Sequence, residues 1–397
     1  MGLNFFSVIY AVTAANLVAI YSGPAITIFF LIFVFAILLQ YFKFSSPNEI
    51  LLNEFLLQQK LFKLSSLFIL WSLFNACWSV DMPKSISAIV KIFSLNLVGF
   101  CSLYLISRIS LYKGQINKKL LTLLLIVINS LILFEHYSDF AISRLLRVTF
   151  GFSTEHMGQA ANKATVLYTL LLPLLYHYIC EKSWLYISLI IITIVNYLFH
   201  PMLAASLALV AAALVMLFIY RYGKNIFTLI FQGTIIFLIS SPLLFKLCFS
   251  DSLLKLYFDH LPLSWQYRIH IWKNCLNFIW QKPFQGWGLN ASRGLNEIAV
   301  YEKMGFIQNH PHNIGLQLWL ENGLTGVVII CGLIYSFYHQ LLVSASARSE
   351  LAMWGGSFVA TMVFANISLG IWQSWWVSSI WIVVLLYKMA RAESNRS

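Results

Sequence analysis

Long apolar runs recur along this chain, separated by short polar stretches. They lie near residues 4–20, 24–42, 61–79, 86–106, 118–135, 164–180, 184–199, 203–220, 226–242, 314–338, 351–369 and 372–388. Each approaches the ~20 residues that a helix needs to cross a bilayer core. The pattern predicts an all-α integral membrane protein with about twelve transmembrane helices. The first run has no basic segment ahead of it and no small-residue cleavage site after it, so it reads as a retained helix and not a signal peptide.

One long interval interrupts the series and suggests three parts. These are 1–242 with the first nine helices, 243–313 as a large external loop, and 314–397 with the last three helices and the C-terminus. The loop has its own helical pattern: Trp265, Ile269, Trp272, Leu276 and Ile279 fall on one face, as in an amphipathic helix at a membrane surface. Arg268 stands one turn before Trp272, within stacking reach. Lys282-Pro283 ends the pattern, and Gly286-Trp287-Gly288 reads as a turn.

Composition supports the membrane class. Hydrophobic residues make up 60% of the chain and charged residues 10%, against about 25% charged in soluble domains. The net charge of +12 has no basic aromatic groove behind it, so nucleic acid is not an expected partner. Anionic membrane lipids and the cytoplasmic side account for it better. With the N-terminus inside, cytoplasmic stretches hold Lys43, Lys60, Lys63, Arg108, Lys113, Lys118, Lys119, Lys182, Arg221, Lys224 and Arg348, with further cations at the C-terminus. The short external loops hold only Lys84, Arg144, Arg147 and Lys163. This bias predicts cytoplasmic termini and an external 243–313, periplasmic in a Gram-negative cell.

The stretch 310–326 carries the candidate chemistry. It reads His-Pro-His-Asn-Ile-Gly-Leu-Gln-Leu-Trp-Leu-Glu-Asn-Gly-Leu-Thr-Gly. At helical spacing, His312, Leu316, Trp319, Gly323 and Gly326 share one stripe, with an imidazole at the mouth of a span and a small-residue packing seam below. The plainer reading is a helix cap followed by that seam. The spacing of His312-Asn313, Gly323 and Gly326 resembles the signature of the O-antigen ligases, membrane glycosyltransferases of the bacterial inner membrane. Their wider superfamily includes O-antigen polymerases and protein O-oligosaccharyltransferases. Arg268, Trp272, Pro283, Gly286 and Gly288 match the family's upstream arginine, tryptophan, proline and Gly-rich turn.

The resemblance implies a glycan donor on undecaprenyl diphosphate and a lipid A-core acceptor. It also implies a site in which Arg268 binds diphosphate and His312 is the general base, while Asn313 fixes the histidine tautomer or caps the helix. Arginine's planar fork suits phosphate, and histidine's pKa suits proton removal near neutrality. Trp272 and Trp319 are further candidates for substrate contact. One departure stands out: many members carry an arginine at the external end of the eighth span, where this chain reads Tyr197-Leu198-Phe199-His200-Pro201-Met202. His200, Arg144 or Arg147 are candidates to replace it, although His200 also reads as an interfacial cap, Arg147 as a lipid-facing charge and Arg268 as an arginine snorkelling to lipid phosphate.

Other chemistries find little support. No Asp-X-Asp or Glu-X-Asp pair is present to hold a metal on diphosphate, and no Cys or carboxylate joins His310 and His312 at ligand spacing. No metal or other cofactor is therefore expected. Cys248 and Cys275, both in the external segment, read as reduced, buried thiols, with a disulfide as the alternative. A polyprenyl-glycan transporter would place charges near mid-bilayer, and Lys91 is a rare case of one.

Overall fold

The computed structural model describes residues 4–44, 59–108, 117–151, 157–179, 183–250, 254, 258–301, 307, 309–345 and 347–394. The described residues are helical, with no strand among them. In chain order the helices are α1 (Phe5–Tyr21), α2 (Ala25–Phe44), α3 (Gln59–Ala76), α4 (Met82–Ile106) and α5 (Lys118–Tyr137). There follow α6 (Ala141–Thr149), α7 (Gly158–Ile179), α8 (Trp184–Phe199), α9 (Leu203–Tyr222) and α10 (Lys224–Cys248). The last are α11 (Leu263–Gln281), α12 (Ser292–Tyr301), α13 (Ile314–Ser344), α14 (Arg348–Ile367) and α15 (Ser374–Ser394). Lys113, Lys182, Cys180 and Arg396 lie outside the described residues.

Every apolar run coincides with a helix, with ends shifted by a few residues. Six of these helices, α2, α4, α5, α9, α10 and α13, are long and apolar enough to cross a membrane. Helices α1 and α8 are apolar but shorter. Helix α7 is more polar because it sits in the middle of the bundle: nearly every residue from Ala160 to Leu175 is buried, Thr165 and Thr169 included. Surrounded by other helices, it needs no lipid-facing apolar stripe. The outer helices differ. Phe35 and Leu39 on α2 and Val210 and Leu214 on α9 are exposed, as lipid-facing side chains must be. The inward side of α9 is small (Ala204, Ala205, Ala208 and Ala212) and packs on α14, where Gly355 meets Ile219. Such small faces let helix backbones approach closely.

The helix connections gather at two ends. At the first, Gly23 touches Lys163, Trp78 Nε1 donates to Gly286 O at 3.1 Å, and Ser368 meets both Met202 and His312. At the second, Gly223 lies against Arg348, and Arg391 pairs with Glu350 at 3.8 Å. The whole of α11 and α12, together with the His312 loop, belongs to the first end.

Candidate active site

Helix α13 does not run as one helix from the His-Asn pair. His312 stands ahead of it with φ +55°, in the left-handed region, and Asn313 is the N-cap. Asn313 Oδ1 accepts from Leu316 N at 3.0 Å, satisfying one of the open amides of the first turn. Its Nδ2 donates to Asn366 Oδ1 at 3.1 Å. Asn313 thus caps the helix and ties it to α14; it does not set the histidine tautomer. That role falls to Ser368, whose carbonyl accepts from His312 Nδ1 at 3.0 Å. A carbonyl oxygen cannot donate, so Nδ1 carries the proton and Nε2 keeps its lone pair.

Burial, together with the nearby charge of Arg268, lowers the His312 pKa from its ordinary value, while the Ser368 carbonyl opposes this. The ring is thereby neutral and basic at Nε2 at ordinary pH. His310 lies beside it, ring centroids 4.2 Å apart, and burial pushes its pKa down to about 3. Gly370 makes room for His310: a Cβ there would sit 2.9 Å from the ring.

The expected single stripe on α13 is broken at Gly323, where φ is +61° and ψ −173°. The helix opens because the 283–288 turn hydrogen-bonds to its backbone. Trp287 N donates to Leu320 O and Gly288 N to Glu321 O, both at 2.9 Å; Leu324 N donates to Pro283 O at 2.8 Å. A Cβ on Gly323 would lie 2.3 Å from Phe284 O, and one on Gly286 would lie 2.6 Å from Asn322 N. Gly323 and Gly286 are therefore contact points between two backbones, not a seam for another helix. Gly288, at φ +106°, lies against Ser79, and Gly326 lies against Asn322. Broken helices survive at membrane depth only where protein satisfies the freed groups, as here.

Glu321 joins these parts. It is fully buried, and its carboxylate accepts from Asn290 N at 2.8 Å, Ser292 Oγ at 2.5 Å, Gln317 Nε2 at 3.2 Å and Trp372 Nε1 at 2.5 Å. Gln317 Oε1 in turn accepts from Ile371 N at 3.2 Å. The motif spacing does not mark Glu321, Gln317, Trp372 or Ser368. A lone carboxylate inside an otherwise apolar helix was the available signal, because such a charge is costly without partners.

The remaining candidates separate into two groups. Arg268 is partly buried and near enough to influence His312; its guanidinium lies 5.4 Å over Trp265, not on Trp272 as its spacing suggested. Trp272 is buried, packed on Phe245 and Phe249, and its Nε1 donates to Pro311 O at 2.9 Å. Through that bond it holds the His312 loop. Trp319 is likewise buried, donating to Leu238 O at 2.8 Å.

His200 does not replace the missing arginine. Its Nδ1 accepts from Met202 N, its Nε2 lies 3.1 Å from both Thr165 Oγ and His136 Nε2, and burial pushes its pKa down to about 3. It is a neutral, engaged ring. Arg147 lies on α6, whose first turn is held by the buried carboxylate of Glu135, while Arg144 pairs with Asp139. Cys248 and Cys275 do not form a disulfide with each other, and Cys248 is exposed while Cys275 is buried.

Comparison with known proteins matches residues 165–331 to the family model described as O-antigen ligase. The match runs from α7 through the break in α13. This stretch is similar to the O-antigen ligase family. Among similar proteins, a "Putative polysaccharide ligase" of Rickettsia conorii is 26% identical over 343 residues, covering 83% of this chain and 80% of the relative. One from Rickettsia felis is 25% identical over 339 residues, with 83% and 81% covered. The "ComP-specific O-oligosaccharyltransferase" of Acinetobacter baylyi is 28% identical over 217 residues, or 51% of this chain and 38% of that protein. No solved structure matches. These likenesses support a glycosyltransferase-type enzyme, and the apolar helices support a multi-pass membrane protein.

Proposed function

We propose that this O-antigen ligase family enzyme transfers a glycan from undecaprenyl diphosphate to a lipid A-core sugar, without a metal, at the periplasmic face of the bacterial inner membrane. In this reading twelve helices span, both termini are cytoplasmic, and the end holding His312 is external. The loop charge bias supports that orientation. The clustering of the connections after α1, α3, α5, α8, α10 and α14 at the His312 end agrees with alternating spans.

The observation that carries the chemistry is the bond from His312 Nδ1 to the Ser368 carbonyl. It leaves Nε2 as the basic atom. The acceptor hydroxyl gives its proton to Nε2, and its oxygen bonds to the anomeric carbon. The bond from that carbon to the diphosphate oxygen breaks, and undecaprenyl diphosphate leaves with the electron pair. Arg268, whose charge acts on the His312 ring, favours the diphosphate charge in this scheme; its own pKa is lowered by burial. Substrate held in one bilayer plane gains much of its rate from proximity.

A lipopolysaccharide gel from a strain lacking the gene, complemented with wild type or His312→Ala, tests the reading. Loss of all long-chain bands, with lipid-linked glycan accumulating and only wild type restoring them, supports a ligase. Survival of single-repeat bands indicates a polymerase. Unchanged lipopolysaccharide with an under-glycosylated protein would favour an O-oligosaccharyltransferase, the activity in the name of the Acinetobacter relative.

A further inference from the structure

Helix α6 is short and amphipathic, and its apolar side faces away from the bundle. Leu145 and Val148 stand one turn apart and are each 65% exposed; Phe150, just past the helix, is 68% exposed. Arg144 and Arg147 form the neighbouring stripe, about 100° round the helix. On the opposite side Ser143 is buried, and Ile142 and Leu146 are half-buried. This orientation is built into the chain. Asp139 and Phe140 both lie in the left-handed region, at φ +53° and +58°, and turn the backbone from α5 into α6. Glu135 on α5 then accepts from Ile142 N and from Ser143 N, each at 3.2 Å, and satisfies two open amides of the first turn. The Phe140 ring sits against His136, ring centroids 5.2 Å apart, and against Gly158, where a Cβ would come within 2.9 Å of it. Held at this end, α6 keeps its apolar side outward.

That side continues the outer surface of two neighbouring helices. Val127 and Phe134 on α5 are exposed, as are Ile191 and Leu198 on α8. Exposed apolar faces on spanning helices are faces in lipid. Tyr137 and Phe199, at the ends of these two helices, lie 6.5 Å apart between ring centroids. Helix α6 therefore begins where the lipid-facing surface reaches the His312 end of the bundle. Leucine and valine on one stripe with arginines on the next suit the boundary between acyl chains and headgroups, where arginine stems reach up to phosphate. A protein partner suits the helix less. Three apolar side chains are far fewer than the roughly 20–30 residues a side of a stable protein interface. Arg144 also carries its own counter-charge in Asp139, which leaves less charge for an acidic partner.

We propose that α6 is an interfacial helix whose partner is the phospholipid surface. Leu145, Val148 and Phe150 are seated among the acyl chains of the leaflet on the His312 side, with Arg144 and Arg147 at headgroup level. The residue after the carboxylate that holds α6 is His136, whose ring meets His200. His200 in turn holds Met202 N, and Met202 lies against Ser368. The helix thus ties the membrane surface to the corner that carries the partner of His312. This placement needs α5 and α8 to span the bilayer, and it holds whether or not the enzyme transfers a glycan.

The test is photo-crosslinking of the full-length protein in native membranes, irradiated before purification. The photoreactive residue p-benzoylphenylalanine is placed at Leu145, at Val148 or, on the inward side, at Leu146. Phe35, on the lipid-facing side of α2, is the positive control. Phospholipid adducts are expected at Leu145 and Val148 with yields within about twofold of Phe35, and roughly fivefold lower at Leu146. Adducts to a second copy or to another protein at Leu145 and Val148 would overturn the lipid seat. No adduct there, while Phe35 yields lipid, would overturn it too, because the stripe then faces water. Equal lipid yields at all three α6 positions would mean that Glu135 does not fix the orientation. Hydroxyl-radical footprinting of the wild type in phosphatidylethanolamine–phosphatidylglycerol nanodiscs needs no substitution. Phe150 should be oxidised as little as Phe35, and oxidation several-fold higher would place it in water and sink the proposal.

Discussion

The two halves of α13 are held by different physics. Residues 314–322 bury Gln317, Glu321 and Asn322 and end at a backbone break stitched to the 283–288 turn. Residues 324–344 pack by side chains: Tyr338 stacks against Phe227, and its hydroxyl lies 2.9 Å from Thr228 Oγ. That second half measures about 30 Å at 1.5 Å per residue and matches a bilayer core unaided. The first half is fixed by hydrogen bonds that only particular residues can complete. The second is fixed by volume and apolar character, which many residues supply. The proposed base stands at the head of this first half, where directional bonds can aim it.

Substitutions can break this contrast. The largest effect is expected at the base: His312→Ala should lower transfer by about 10²–10⁴-fold with normal protein level in the membrane. Near-normal transfer would reduce the loop to a helix cap. Next is the break itself. Gly323→Ala places a Cβ on the Phe284 carbonyl and at positive φ, and should destabilise by several kcal/mol, on the order of the costs for strained or overpacked sites. Gly332→Ala, in the packed half, meets only Leu64 at 3.7 Å and should shift stability by less than about 1 kcal/mol. Equal unfolding temperatures for the two variants would erase the distinction drawn here.

A smaller loss is expected at the carboxylate hub. Glu321→Ala leaves the Asn290 amide and the Trp372 indole unpaired and should cost about 2–5 kcal/mol. Glu321→Gln keeps an acceptor for both and should be markedly milder in the same melting experiment. The smallest effect sharpens the comparison through pH. Arg268 lowers the His312 pKa, so removing its charge raises it, and the base stays protonated to a higher pH. The acid limb of the rate profile should therefore move up in Arg268→Gln. In Arg268→Lys it should hardly move, although the bidentate fork is lost and rate falls. An unmoved limb in the glutamine variant would mean that Arg268 does not act on the base.

Helix positions were legible because the bilayer imposes length and apolarity on each span, and those are properties of consecutive residues. The place of His312, at the mouth of α13, was legible for the same reason. The break at Gly323 was not. Glycines at helical spacing read as a seam, and only the Phe284 carbonyl, brought from a distant segment, turns that position into an opening. The carbonyls that hold Trp272 and Trp319 were not legible either, because an aromatic residue near a motif looks alike whatever its indole donates to. Lys91 was visible as an anomaly, and only the structure shows that it lines a cleft between the starts of α2 and α4.

The partner of His312 lies fifty-six residues beyond it in the chain, and the tryptophan that meets Glu321 lies fifty-one residues beyond that glutamate. When the ribosome has delivered everything up to the histidine, its imidazole has no carbonyl to choose a tautomer. The hub carboxylate likewise lacks one of its donors. Only insertion of the final hairpin brings Ser368 and Trp372 into place. A chain that ends before this hairpin thus holds the whole motif and still lacks the carbonyl that sets the tautomer.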